Sequence, residues 1–419
     1  IVGADTAQEG AKAGLGERCG RIEEPGPGEG LFIVSSPRGL DPALLDRYST
    51  VLLCDTRVAL VKTDRTSADL LAGEGMEIKA VRPTARFEGV TPTPSSRQSS
   101  TAPDPTVQGI IDSVDQTDVY DWLGDLSGEN SVTIGGSPYT ILTRNTYHAE
   151  SIEKVTQYCY EYFQGEGLDV SYHNYSGSGF SCRNVVAEQT GTVNPGNIYI
   201  ICGHVDDMPN ATIAPGADDN ASGSAAVLLA ASILSNYTFE NTIRCVLFTG
   251  EEQGLVGSYY YVQQCVSEGD NILGALNFDM IAYDGNMDGE AEIHCGTMTS
   301  SGAIGDLLID TIGTYSLALS PVKYTTGSTI WSDHSRFWDA GYPAILGIED
   351  TGTDFNPYYH SPSDTIANCN LSYATDYVKA ALGTTARLAV PIPTVTPGPT
   401  MTPAPTPLPT TSPSLVIET

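Results

Sequence analysis

The sequence predicts an α/β fold: a mainly parallel sheet with helices on both faces, preceded by a small α/β or α+β domain and followed by a Pro/Thr-rich tail. Three observations carry the prediction. From Asn197 onward, short apolar runs of strand type alternate with helical patterns, which gives a parallel sheet covered on both faces. Residues able to ligate metal or move protons stand where those runs end, and open α/β sheets place their sites at the carboxyl ends of strands. Pro/Ser/Thr stretches at 90–106 and 391–414 set this region apart from its neighbours.

The first domain comprises residues 1–89. Residues 1–30 carry no clear period. Residues 31–34, 51–54, 58–62 and 76–81 read as strands, 41–48 as a helix and 67–73 as a helical turn or two. This domain holds no His and no chemical constellation, so its role is open between a pro-segment, a partner-binding module and a spacer. After the linker at 90–106 comes the main domain, 107–390. Residues 107–126 and 151–163 read as helices, 169–172 and 184–188 as strands. Strands are then expected at 197–202, 242–248, 275–278, 291–295 and 344–348. Helices are expected at 224–234, 255–264, 303–315 and 335–340, with a closing helix at 376–390. The tail, 391–419, cannot bury a core and favours extended polyproline II. Its last apolar residues, Leu415, Val416 and Ile417, are strand-like and suited to adding to an exposed sheet edge, so a homo-oligomer or filament through the tail is an expected assembly.

The formal net charge is -31 at pH 7, with the acidity concentrated in the C-terminal two-thirds. Such a surface repels phosphate backbones and anionic lipid, which argues against nucleic acid and acidic membranes as partners. No apolar stretch is long enough to span a bilayer. A start at Ile1 rather than Met fits removal of a signal peptide, giving the expectation of a secreted, extracellular glycoprotein. Sequons stand at Asn174, Asn210, Asn220, Asn236 and Asn370; Asn220 lies inside the proposed metal loop and is expected to stay unmodified. Nine cysteines are an odd number. Cys202 and Cys245 read as buried thiols, whereas Cys159 with Cys182, and Cys19 with Cys54, are open to disulfide pairing.

The chemistry is organised around Gly203-His204-Val205-Asp206-Asp207 and the loop Pro215 to Gly223, which holds Asp218 and Asp219. Later strands end in Thr249-Gly250-Glu251-Glu252 and in Asp279-Met280. The final strand feeds a loop with Tyr358-Tyr359-His360-Ser361-Pro362-Ser363-Asp364. Two His, two Asp and a Glu suit a pair of zinc ions. His204 and Asp279 are expected to hold one ion, and Glu252 and His360 the other. Asp219 is expected to bridge them, as suits metals roughly 3.5–4 Å apart. A water shared by two such ions becomes hydroxide near neutral pH. Glu251, next to a ligand, is then the expected general base. Asp206 is placed to accept a hydrogen bond from the His204 nitrogen that faces away from the metal. Asp333 and His334 read as loop-positioning residues near the site. His148, His173 and His294 have no motif context.

These motifs, GHVD, PGADDNASG, TGEEQG, NFDM, SDHSRFWDAGYPAI and YYHSPSDT, resemble those of the co-catalytic di-zinc aminopeptidase family. That family includes secreted bacterial leucine-type aminopeptidases, with glutamate carboxypeptidases and glutaminyl cyclases as relatives. The resemblance covers about residues 107–388. It implies the ligand set His204, Asp219, Glu252, Asp279 and His360, with Glu251 as base and Asp206 as orienter. It also decides between the adjacent aspartates in favour of Asp219, and implies that Tyr359 stabilises an oxyanion. Where some members place a cysteine pair and a tyrosine before Ser-Asp-His, this chain has Gly327-Ser328-Thr329-Ile330-Trp331, which leaves side-chain preference open.

The expected function is a secreted di-zinc exopeptidase, an aminopeptidase hydrolysing N-terminal residues from peptides through a metal-bridging hydroxide. One alternative is a carboxypeptidase of the same family, which needs basic residues for the substrate carboxylate; they are scarce in the main domain. The other is a structural, self-assembling extracellular protein built on a peptidase domain.

Overall fold

The computed structural model describes residues 29–36, 39–54, 57–64, 67, 71, 76–80, 103–177 and 180–392. Cys19, most of the predicted turn at 67–73, the linker core and the Pro/Thr tail lie outside the described residues.

The N-terminal part is α+β. Strands β1 (Glu29–Ser35), β2 (Thr50–Cys54), β3 (Val58–Asp64) and β4 (Glu77–Ala80) form an antiparallel sheet in the order β2-β3-β1-β4, with helix α1 (Pro42–Tyr48) between β1 and β2. Among the described residues its core comprises Val34, Leu45, Ala59, Val61, Leu71 and Met76.

In the main domain the single helix predicted over 107–126 is two, α2 (Pro105–Asp112) and α3 (Gln116–Ser127). The cause is Asp115, whose carboxylate accepts the Thr117 N–H at 2.7 Å and caps a new helix rather than continuing the old one. A short hairpin, β5 (Val132–Ile134) and β6 (Ser137–Tyr139), was not anticipated; three-residue strands carry too little alternation to read. Then follow α4 (Ala149–Gly165), β7 (Asp169–Gly177), β8 (Phe180–Gln189), β9 (Asn194–His204), α5 (Gly223–Leu234), β10 (Asn241–Phe248), α6 (Val256–Glu268) and β11 (Asn271–Phe278). The domain ends with β12 (Glu290–His294), α7 (Thr299–Thr314), β13 (Ser320–Tyr324), α8 (His334–Asp339), β14 (Ala344–Ile348) and α9 (Leu371–Ala389). Strand β13 was also missed: it is nowhere fully buried and contains Pro321, so it lacks a strand's pattern.

The sheet has eight strands in the order β13-β12-β14-β11-β9-β10-β8-β7. Its centre is parallel: β9 pairs with β10 and β11, and β11 with β14. Antiparallel pairs β7/β8, β8/β10 and β12/β14 flank it. Side chains alternate faces along a strand. In β9, Ile201 therefore joins the larger core with α5 and α9, while Ile200 and Cys202 join the opposite core with Tyr261, Val262 and Phe337 of α6 and α8. Both faces are dry, which is why the central strands read as unbroken apolar runs.

Cys202 and Cys245 are buried thiols, and burial pushes Cys245 up to about 12. The pairing considered for Cys159 and Cys182 is not formed; both are free thiols, and burial pushes Cys159 up to about 12. Asn220 is fully buried, whereas Asn174, Asn210 and Asn236 are exposed.

Candidate active site

The residues singled out in the sequence converge at the carboxyl ends of β9, β10, β11 and β14. His204 is the last residue of β9 and is buried. Asp219 lies in the turn Ala217–Ser222 that leads into α5; its backbone (φ -105°, ψ 95°) leaves the helical region. Glu251 and Glu252 follow β10, and Asp279 follows β11. His360 sits on the loop after β14 at φ 52°, a left-handed conformation that costs a non-glycine residue energy and that packing must hold. The turn can reach β11 because Gly203 and Gly223 have no side chain: a Cβ on either would lie 2.8 Å or 2.1 Å from the Phe278 carbonyl oxygen.

The two oxygens of Asp219 face different histidines. Oδ1 lies 3.3 Å from His204 Nε2, and Oδ2 lies 3.2 Å from His360 Nε2. Each histidine also faces a second carboxylate: Asp279 Oδ1 at 3.1 Å from His204, and Glu252 Oε2 at 2.9 Å from His360. Glu252 Oε1 is buried with no hydrogen-bond partner among the described residues.

This donor set fits bound cations. His204 Nδ1 lies 3.1 Å from the Asp206 carbonyl oxygen, which can only accept, so the proton sits on Nδ1. The Nε2 lone pair then points at two carboxylates, a repulsive arrangement unless a proton or a metal ion lies between. The electrostatics of these groups point the same way. Burial alone would lower His204, but Asp279, Glu251, Asp206 and Asp219 lift it well above the ordinary range. His360 is raised likewise, with Glu252 and Asp219 overcoming burial. Burial, reinforced by Asp219, pushes Glu252 up to about 8, whereas Asp219 is held below the usual range because His204 and His360 outweigh its burial. His204, Asp219 and Glu252 offer ligand atoms within 4.8 Å of one another. Imidazole and carboxylate together are zinc donors.

The role expected for Asp206 needs correcting. Its carboxylate oxygen lies 3.6 Å from His204 Nδ1, beyond hydrogen-bond range, and the backbone carbonyl makes that contact instead. The carboxylate accepts the N–H groups of Glu251 and Glu252, both at 3.3 Å, and the Thr146 hydroxyl at 3.2 Å. Asp206 thus positions the loop holding both glutamates. The neighbouring Asp218 points away from the histidines and accepts from Ala282 N and Asn356 Nδ2, both at 2.8 Å. Tyr359 lines the cavity with its ring stacked on His360, centroids 3.6 Å apart. His334 Nε2 meets the Thr329 carbonyl at 3.0 Å, and so holds the loop before α8, as expected of a loop-positioning residue.

Four supporting residues were not assigned roles from the sequence. Ser332 donates to Asp279 Oδ2 at 2.6 Å and accepts from Asn277 at 2.7 Å. Asp364 accepts the N–H groups of Asp218 and Asp219. Glu349 accepts the Asn356 N–H at 2.9 Å. Arg144, wholly buried, donates to the carbonyls of Leu126, Val205, Pro215 and Gly216 and clamps the loop between His204 and Asp219. Ser332 and Asp364 stand inside motifs already singled out, which was the available signal; Arg144 has no motif.

Beside the ligand atoms lies a cavity of about 270 Å³, lined on one side by Met280, Leu346, Ile348 and Phe355. Residues 184–385 match the family model described as Peptidase family M28. A protein named "Probable leucine aminopeptidase" from Arthroderma otae is 32% identical over 202 residues, covering 46% of this chain and 54% of that protein. The chain spans little more than half the length of the curated relatives it matches. The crystal structure of the Legionella pneumophila LapA aminopeptidase is similar at a TM-score of 0.63 and 18% identity, covering 86% of this chain and 98% of that one. That of Macrostomum lignano glutaminyl cyclase is similar at a TM-score of 0.57 and 16% identity, covering 73% and 100%. At such identities the two structures speak to fold alone.

Proposed function

From a chain whose residues 184–385 match the model of peptidase family M28, we propose a di-zinc aminopeptidase that releases large apolar N-terminal residues from peptides. The observation that carries it is Asp219, with one oxygen toward each of two histidines and a private carboxylate beyond each histidine. His204 with Asp279, and His360 with Glu252, would hold the two ions, Asp219 between them. Bound zinc supplies Lewis acidity toward water and the peptide carbonyl. Glu251, buried at the cavity wall, takes the proton from the attacking water and returns it to the leaving amine. The Tyr359 hydroxyl serves the carbonyl oxygen as charge develops there. The carboxylates receive the substrate's ammonium group, and Met280, Leu346, Ile348 and Phe355 receive its side chain.

The carboxypeptidase alternative would need a cation for the substrate carboxylate; residues 103–392 supply no Lys or Arg to the cavity, and Arg57 is the one described residue that could serve. The test is hydrolysis of aminoacyl-anilides across the amino acids, with chelation and zinc add-back. The reading requires leucyl-type turnover that chelation abolishes and zinc restores at two equivalents. Turnover insensitive to chelation, or restored in full by one equivalent, overturns it.

An extracellular setting is proposed on the acidic balance and the exposed sequons Asn174, Asn210 and Asn236; recovery of the protein from medium rather than cells tests it. Assembly through the tail is likewise a proposal, and particle mass before and after removal of residues 391–419 decides it.

A further inference from the structure

Part of the cavity wall belongs to the N-terminal sheet. Ser36, Arg57, Val58 and Met76 line it together with the site residues. These four come from three separate stretches of the chain but are neighbours by register. Ser35 pairs with Val58 on one side and with Glu77 on the other, and the Ser36 N–H donates to the Arg57 carbonyl at 3.0 Å. They are therefore one end of one sheet: the end of β1 and the starts of β3 and β4. Among the described residues that line the cavity, Arg57 is the one lysine or arginine. Its acidic residues are Asp219, Glu251, Glu252 and Asp279, three of them the expected metal ligands.

We infer that this sheet end is an outer substrate subsite, in which Arg57 receives the C-terminal carboxylate of a short peptide. The inference rests on the aminopeptidase reading above. A free dipeptide is a zwitterion. Its ammonium group binds at the metal-site end of the cavity, which leaves the carboxylate at the other end of the molecule in need of a counter-charge. A guanidinium lining the same cavity supplies it, since its fork of N–H donors fits a carboxylate. The wall also sets length. A peptide that ends within the cavity satisfies Arg57, whereas a longer one meets Val58 and Met76 across its path. The substrate class is thus dipeptides and other very short peptides with free C-termini, and the N-terminal sheet selects them.

The experiment uses the full chain loaded with zinc and compares kcat/KM for leucyl-leucine, leucyl-leucinamide and a leucine-led hexapeptide. The acid should exceed the amide by up to about fivefold, the scale of an exposed ion pair. The preference should shrink in high salt, and the hexapeptide should be poorer than the dipeptide. Arg57→Ala should bring the acid-to-amide ratio to one or below, and Arg57→Lys should keep it above one. Thermal melts establish that the variants are folded. A wild-type ratio of one, or the same ratio in Arg57→Ala, overturns the inference. So does an equal rise for every substrate in Arg57→Ala and Met76→Ala, which makes the sheet end a plain obstruction. N-acetyl-leucyl-leucine separates the two readings: if it is cleaved with the same acid preference, the aminopeptidase direction fails while Arg57 stands.

Discussion

The Asp364 carboxylate accepts the backbone N–H of Asp219 at 3.0 Å, and its other oxygen accepts that of Asp218 at 3.1 Å. The loop that carries His360 is thereby tied to the turn that carries the shared carboxylate. Groups that orient ligands in this way are worth roughly 10–100-fold in metal affinity. Asp364→Ala should lose zinc to a competing chelator at a concentration lower by about that factor while keeping its circular dichroism. Unchanged zinc retention would mean the tie orders the loop without orienting the site.

Asp219→Asn should lose at least one zinc, whereas Asp218→Asn should retain both. Asp218 spends its oxygens on Ala282 and Asn356 rather than on the histidines, so its variant should show a lower melting temperature with unaltered metal content. Metal analysis of the two purified variants checks this; zinc loss confined to Asp218→Asn would exchange their roles.

Glu251→Gln should bind both metals and lose at least ~10²-fold in kcat, the usual scale for a general base. Its neighbour Glu252 faces His360 at 2.9 Å, so Glu252→Gln should lose metal as well as rate. The reverse pattern in a zinc assay would swap the two glutamates.

Arg144→Met should be destabilised by roughly 3–5 kcal/mol, the cost of stranding buried partners of a lost charge. The stranded groups are four carbonyls and Asp207, whose carboxylate loses a guanidinium 3.6 Å away and keeps the backbone N–H of residue 144 at 2.7 Å. Burial pushes Asp207 up to about 7 even with Arg144 beside it, so removing the arginine favours its protonation. Thermal unfolding should show a melting point lower by roughly 10 °C; a shift of a degree or less would show the clamp to be dispensable.

Burial lowers His173 from 6.5 to about 4, and Asn184 donates to its Nδ1 at 2.9 Å, which holds the ring neutral. Above pH 6.5 the folded and unfolded chains are both neutral here, so this stability is fully present. As pH falls from 6.5 toward 4, only the unfolded chain takes up the proton, and stability falls by roughly 3 kcal/mol before levelling off. In His173→Gln that part of the acid limb should be absent. Parallel melting-temperature curves for wild type and variant between pH 7 and 4.5 would refute it.

The sequence by itself determined the sheet's central strands, because a strand buried on both faces must be a continuous apolar run, and β9, β10, β11 and β14 are such runs. It also determined which residues meet. Parallel strands all end on one rim, so a His, a Glu pair and an Asp placed at the ends of β9, β10 and β11 have to converge there. Tertiary structure decided everything that depends on direction. Asp218 and Asp219 are equivalent as letters, and only the departure of the Asp219 backbone from helical angles turns one carboxylate to the histidines and the other away. The contribution of Asp206 to the imidazole is a carbonyl rather than a carboxylate, a distinction no residue pattern encodes. Arg144 was silent in the sequence, since its partners are backbone carbonyls brought in from Leu126, Val205, Pro215 and Gly216. Arg57 had no chemistry around it until the register of a separate antiparallel sheet set it against the cavity. Local sequence fixes period and end points; where side chains point is settled by contacts between segments far apart in the chain.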